Sequence, residues 1–307
     1  MTPDKRSGVT PSLDAGALVA AVPGLSDVAS VGSETIASIG SANISIDMLV
    51  GLCRRAEAQD VDGIVITQGT DTLEECAFVV NLLYQGEKPL VFTGAMRPAM
   101  QPGADGPNNL YNAVLVASSR SAPRVSVVMN SEIHDPWHVS KEHTFATDAF
   151  VSDYSGPLGH VIEQKVKLKP VPPLTFRVPL LERPVPQVAL VVATLGTDTR
   201  MVDMVLDLGY EGLVVEAFGA GHVSEQWADS LEKVAAQIPV ILSTRVRSGP
   251  VLENSYGYKG AEIDLIKRGL IPSGSLSGRK ARLLLSLLLA APSMNCRGTF
   301  KSIIARL

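Results

Sequence analysis

Val61-Asp-Gly-Ile-Val-Ile-Thr-Gln-Gly-Thr-Asp-Thr-Leu-Glu-Glu75 reads as a strand running directly into a helix. Gly63 to Thr67 is a short, apolar, β-branched run of the kind that forms a buried strand. Gly69 ends it, and Thr70, Asp71 and Thr72 place two hydroxyls and a carboxylate at its C-terminal end. Leu73, Cys76, Ala77, Val80 and Tyr84 then recur near helical spacing. Thr70 or Asp71 would serve as N-cap, and Glu74 and Glu75 suit the positive end of the helix dipole. Ligands of open α/β sheets bind beyond the carboxyl ends of the strands. The Thr70-Asp71 pair therefore has two readings, a helix cap or a site for a small polar molecule.

The flanking sequence repeats the alternation. Leu13 to Ala21 predicts a helix, Thr35 to Ile39 a strand and Ile44 to Ala56 a helix. Pro89 to Thr93 is a strand, followed by a polar loop containing Asp105-Gly106-Pro107, whose composition specifies a tight turn. Asn108 or Asn109 would cap a helix through Ser118, and Arg124 to Met129 is a further strand. Such alternation implies an α/β fold built from right-handed βαβ units. Residues 1–168 are expected to form the larger N-terminal domain, a mostly parallel sheet flanked by helices. Residues 169–186 hold six prolines and read as a linker. Residues 187–307 are expected to form a smaller C-terminal α/β domain with a parallel sheet. Its strands fall at 188–193, 212–215 and 240–243, and its helices at 201–208, 224–237 and 277–291. Met1 to Ser12 reads as loop, with no signal segment. A second Gly-Thr-Asp-Thr, Gly196 to Thr199, reads as shared turn chemistry.

Composition narrows the function. Of 307 residues 46% are hydrophobic and 19% charged, enough for a sizeable core. A net charge of -4, no basic cluster and 5% aromatic residues argue against nucleic-acid binding. The apolar run Leu283 to Ala291 is too short to span a bilayer, so no membrane association is expected. Cys53, Cys76 and Cys296 and the five histidines show no metal-ligand spacing, and no cofactor is called for. Buried free thiols favour a cytoplasmic location, or a periplasmic one if a leader precedes this sequence.

Several segments together resemble the bacterial-type L-asparaginases. They are Ile39-Gly-Ser41, Val65 to Glu75, Thr93-Gly-Ala-Met-Arg-Pro98, Ala104-Asp-Gly-Pro and Asn109-Leu-Tyr-Asn-Ala113. Val128-Met-Asn130, Val139-Ser-Lys141, Tyr154-Ser-Gly-Pro-Leu-Gly159 and Ala261-Glu-Ile-Asp264 continue the series in family order over nearly the whole chain. The resemblance implies an amidohydrolase that converts L-asparagine to L-aspartate and ammonia through a threonine acyl-enzyme, as a homotetramer. It implies that Thr70, with Asp71 and Lys141 beside it, helps to activate the attacking nucleophile or water. Asp71 would bind the substrate ammonium, Ser41 its α-carboxylate, and Ala95 would touch it through the backbone. Glu262 matches a carboxylate lent by a neighbouring protomer. Without the resemblance, Lys141 reads as a solvated loop lysine and Ser41 as an ordinary turn residue.

Two features depart from the family pattern. The attacking threonine lies in a Thr-Gly-Gly-Thr-Ile-Ala segment, and no such segment occurs in this sequence. Either a longer gene carries it upstream of Met1, or this is a shortened homologue that binds aspartate or asparagine without turnover. His222 also stands where an asparagine is frequent, which leaves open the choice between asparagine and glutamine, as in a glutaminase-asparaginase. The amidase that supplies ammonia to glutamyl-tRNA is a further alternative.

Overall fold

The computed structural model describes the backbone of residues 2–4 and 8–10 and all of residues 13–170, 173–179 and 181–307. It divides into two compact units, Met1–Arg177 and Val178–Leu307. The boundary falls within the proline-rich stretch, whose described residues from 169 to 186 carry no helix or strand.

The first unit opens with β1 (Thr2–Asp4) and β2 (Gly8–Thr10), an antiparallel ribbon where the sequence predicted loop. A pairing this local closes at small entropic cost, which the residue-type pattern does not reveal. Helix α1 (Ala15–Ala20) is capped by Asp14, and α2 (Ile46–Ala58) by Ser45. Residues 35–39, expected as a strand, are exposed and join no sheet among the described residues. Their apolar character does not become a strand because a strand needs a partner for its backbone groups.

The central element follows as β3 (Ile64–Thr67), a short turn Thr70–Thr72 and α3 (Leu73–Leu83). Next come β4 (Leu90–Thr93), α4 (Gly106–Ala117), β5 (Val125–Met129) and β6 (Glu132–His134). A two-stranded ribbon of β7 (Ser140–Lys141) and β8 (Phe150–Val151) precedes β9 (Gly159–Ile162) and β10 (Lys165–Leu168). The main sheet has the order β10-β9-β6-β5-β4-β3. Its helix-flanked half, β3-β4-β5, is parallel, and β6, β9 and β10 extend it antiparallel. Every residue of β4 and β5 is buried, as expected of parallel strands covered on both faces. Val91 and Val128 pack with Ala113, Val116 and Ala117 of α4, while α3 covers β4 and β5 as well.

The second unit is a four-stranded, wholly parallel sheet, β11 (Val188–Val192), β12 (Gly212–Ala217), β13 (Val240–Thr244) and β14 (Ile271–Pro272), in that order. The helix expected over 201–208 is regular only in α5 (Arg200–Asp203), because it loosens into turns before Gly209 at φ 74°. Helix α6 (Glu225–Ala235), capped by Ser224, sets Trp227, Leu231 and Val234 into the core. α7 (Glu262–Lys267) precedes β14, while α8 (Gly278–Ala290) packs on the strands and on α9 (Cys296–Ile304). No described helix is long and apolar enough to cross a membrane.

One glycine tests the packing of β3 on α4. A Cβ at Gly63 would lie 2.2 Å from the Ala117 carbonyl oxygen, a backbone atom that cannot rotate away. Gly63→Ala is expected to destabilise the first unit by about 1–3 kcal/mol, read as a lower urea midpoint.

Candidate active site

The end of β3 is drawn against a second loop. Ser41 is buried, its hydroxyl accepts the Asp71 N–H at 3.2 Å, and its carbonyl accepts the Thr72 hydroxyl at 2.9 Å. A Cβ on Gly69 would sit 2.9 Å from Ser41 Oγ, and one on Gly94 would sit 2.7 Å from the Gln68 carbonyl oxygen. Glycine is needed at both places because two chain segments meet there without room for a side chain.

Thr70 and Asp71 are not the caps that local sequence predicts. The N-cap of α3 is Thr72, and its side chain makes no cap bond. Thr70, 9% exposed, instead meets Lys141, whose Nζ donates to Thr70 Oγ1 at 2.9 Å and to Asp71 Oδ1 at 3.0 Å. The Lys141 side chain is 15% exposed and that of Asp71 72% exposed. An ion pair so open to water adds little stability, so its effect is on position.

Lys141 comes from a different part of the fold. The Asp135 side chain and carbonyl accept the N–H groups of Trp137, His138 and Val139, forming a compact turn. Buried Trp137 packs edge-on against Phe78 of α3, ring centroids 5.0 Å apart. Lys141, four residues on, then pairs opposite Phe150 in the β7–β8 ribbon. The helix that begins beside Thr70 is thus also the surface that seats the lysine-bearing loop.

Asn108 and Asn109 do not cap α4 either, because that helix starts at Gly106 with Asp105 as N-cap. Asp105 uses its carboxylate to hold the N–H groups of Met96 and Arg97, both at 2.9 Å. Buried Asn109 donates to the Gly94 carbonyl and Asp105 Oδ2 and accepts the Asn130 N–H. Together they fix the loop carrying half-buried Ala95.

A pocket of about 320 Å³ is lined by Asp71, Lys141, Glu142, His143 and Thr144. Sequence reasoning did not select the last three, although they follow Lys141 directly. His143 Nδ1 accepts the N–H groups of Phe145 (3.0 Å) and Ala146 (2.9 Å), so its ring proton resides on Nε2. Cys76 Sγ lies 3.5 Å from Thr72 Oγ1, but burial pushes its thiol up, and burial takes the Cys53 thiol to about 12. Both stay protonated, whereas the Thr70 hydroxyl is in direct contact with an amine. Among the described residues no group of three His, Cys, Asp or Glu is placed to hold a metal.

Glu262 belongs to the second unit and is fully enclosed there. Its Oε1 accepts the N–H groups of Ser255 (2.9 Å) and Tyr256 (2.6 Å), and its Oε2 lies 3.0 Å from His222 Nε2. Burial pushes its carboxyl up, but the hydrogen bonds from Tyr256, Glu262's own N–H, Ser255 and His222 outweigh this and hold it below the usual carboxylate range. The second Gly-Thr-Asp-Thr is a surface turn in which Asp198 pairs with Arg200 and Thr199 with Asp203.

The family model described as "Asparaginase, N-terminal" matches residues 1–173, and that for the "Glutaminase/Asparaginase C-terminal domain" matches residues 187–297. The chain is 37% identical over 283 residues to the probable periplasmic L-asparaginase of Haemophilus influenzae, covering 89% of this chain and 79% of that protein. It is 35% identical over 286 residues to the glutaminase-asparaginase of Pseudomonas fluorescens, covering 87% and 75%. It is also 34% identical over 288 residues to a glutamyl-tRNA(Gln) amidotransferase polypeptide of Methanosarcina barkeri, covering 87% and 66%.

The lowered Glu262 carboxyl has a pH consequence. Its folded value lies below the ordinary 4.5, so its contribution is complete above that pH and is lost as pH falls through the folded value. The stability advantage of the natural protein over Glu262→Gln should therefore be constant near neutrality and shrink below pH 4.5, as measured by urea unfolding across that range.

Proposed function

The chain belongs to the asparaginase family, and from that premise we propose that it hydrolyses the side-chain amide of L-asparagine to L-aspartate and ammonia. The observation that carries this reading is the contact of Lys141 Nζ with both Thr70 and Asp71 at the mouth of the pocket. In this reading Thr70 takes the attacking part that the family pattern gives to the threonine of the Thr-Gly-Gly-Thr-Ile-Ala segment: its hydroxyl attacks the amide carbon and gives its proton to Lys141 Nζ in its neutral form. Ammonia leaves with that proton, and the threonyl ester remains. Water cleaves the ester by the same route, its proton passing through Lys141 to the returning Thr70 oxygen.

Asp71 selects the substrate. Most of its carboxylate is open to solvent, so it can take the α-ammonium of an amino acid in a charge-assisted hydrogen bond. The seat of Ser41 against Gly69 and Asp71 supports a role in receiving the α-carboxylate, and the fixed Ala95 loop offers backbone groups beside it. Glu262 acts through His222 in this reading, because its own oxygens are already engaged. A homotetramer is part of the proposal, supported by the exposed apolar Leu195, Met201 and Leu208. Light scattering should return the mass of four copies.

Ammonia release from asparagine and from glutamine tests the reaction. Thr70→Val and Lys141→Met should each lower kcat by about 100-fold or more while the fold persists. Asp71→Asn should act mainly on KM, raising it by about 10- to 100-fold. Full activity in Thr70→Val would remove Thr70 as nucleophile. Aspartate binding by the natural protein with no ammonia from either amide would replace turnover with binding alone.

A further inference from the structure

The first unit has a second cavity, at the end of its main sheet away from Thr70. Strands β3, β4 and β5 are parallel, with Thr70 and Asp71 beyond the carboxyl end of β3. Arg124 immediately precedes β5 and so lies at the amino end of the same sheet. The antiparallel pairings bring Leu158, just before β9, and Leu168, the last residue of β10, to that end as well. With Pro173 and Leu174 they line a cavity of about 440 Å³, a size suited to a small organic ligand.

The lining has an apolar part and a cationic part. Leu158 and Leu168 pack against the core of Val91, Val128 and α4, which gives the cavity an ordered hydrocarbon wall. Arg124 and Lys169 supply the charge, and no Asp or Glu is among the described residues that line it. Arg124 is held from one side. Its Nη1 donates to the Tyr84 carbonyl at 2.7 Å, and its Nη2 to the carbonyl and side-chain oxygens of Asn81 at 2.7 and 3.1 Å. A guanidinium carries five N–H groups, so Nε–H and one Nη1 hydrogen are left for a ligand. Burial, and then the charge of Arg177, push Arg124 below its ordinary value, with Glu87 opposing, and an anion beside it would offset both. The backbone of Lys169 is fixed by its N–H donating to the Leu158 carbonyl at 2.8 Å. Its ammonium lies over Gly156, where a Cβ would come within 3.0 Å of Nζ, and forms no ion pair among the described residues.

We propose that this cavity binds an apolar monocarboxylate, its carboxylate held by Arg124 and Lys169 and its hydrocarbon part lying on Leu158, Leu168, Pro173 and Leu174. An arginine with two N–H groups to spare and a lysine without a counter-charge favour an anion in a charge-assisted contact. An α-amino acid fits poorly, because its ammonium would meet two cations and no carboxylate. Asp71, at the other end of the sheet, makes the opposite selection. The cavity wall is also tied to the rest of the unit. The Leu174 carbonyl accepts the Trp137 indole N–H at 3.1 Å, and Trp137 packs on Phe78 and seats the loop that carries Lys141. A ligand against Leu174 therefore alters the surroundings of Trp137.

Hexanoate is the probe, titrated into the unaltered chain and followed by calorimetry and by tryptophan emission. Trp227→Phe isolates Trp137, since the chain has two tryptophans. Both signals should saturate together, with a Kd of about 1 mM or below for a ligand of this size. Lys169→Glu, at an exposed position outside the amide machinery, should weaken binding about tenfold or more, and Arg124→Gln, where folded, at least as much. Norleucine, which adds an α-ammonium, and hexanol, which removes the charge, should each bind about tenfold or more weakly than hexanoate. Absence of saturable binding would overturn the site, and equal affinity for hexanol would overturn its selection of a carboxylate. Heat with no change in Trp137 emission, or competitive displacement by L-aspartate, would place hexanoate elsewhere and overturn the proposal as well. None of these readouts depends on ammonia release, so this assignment and the amide reading stand or fall separately.

Discussion

The ammonium of Lys141 joins residues 70 positions apart in sequence, and the architecture of the first unit can be understood as what makes that contact possible. Asp71 and Thr70 sit at the end of a parallel strand that is half-buried, not the buried strand its apolar run suggests, where the turn into α3 is held from below by Ser41. Lys141 arrives on a loop that has no regular structure of its own beyond a two-residue strand. Its placement depends on the Phe78–Trp137 contact and on the Asp135 turn, both several residues away from the chemistry. A side chain as mobile as lysine has a defined position here because only 15% of it is exposed and its ammonium has two acceptors.

Such placement explains which parts of the structure were legible in the sequence. The strands from 90 to 93 and 125 to 129 announce themselves because burial on both faces demands mostly apolar residues, and 64 to 67 does so through its β-branched run although it is only half-buried. Thr70 and Asp71 are visible for the same reason, since a site at a strand's carboxyl end is marked by the strand. Lys141 is not visible from its surroundings. Only the match of Val139-Ser-Lys141 to a family pattern singled it out, because its partner is supplied by tertiary structure.

The misreadings have the same origin. Thr70 and Asp71 look like helix caps, and Asn109 looks like another, because short polar side chains before a helix satisfy its first N–H groups in most proteins. Here each is diverted to a long-range partner: Thr70 and Asp71 to Lys141, Asn109 to Gly94 and Asn130. The failure of a local rule is itself informative. It marks the loops that must be held for the pocket to exist, and Asp105, gripping Met96 and Arg97, belongs with them.

The two acidic residues carried over from the family pattern show how environment divides one chemistry into two tasks. Asp71 is largely exposed and shares a single oxygen with Lys141, so a charged newcomer can compete for it. Glu262 has no exposure and three hydrogen-bond donors, so no newcomer can reach it without dismantling the loop at 255–256. An accessible carboxylate recognises charge, whereas a saturated one transmits orientation. The imidazole of His222 is the side chain through which Glu262 can act outward, and it is the imidazole's second nitrogen that meets the solvent-facing phenol of Tyr258. A histidine in place of asparagine therefore changes more than the size of a contact: it introduces a group that can pass a proton between a buried charge and the surface.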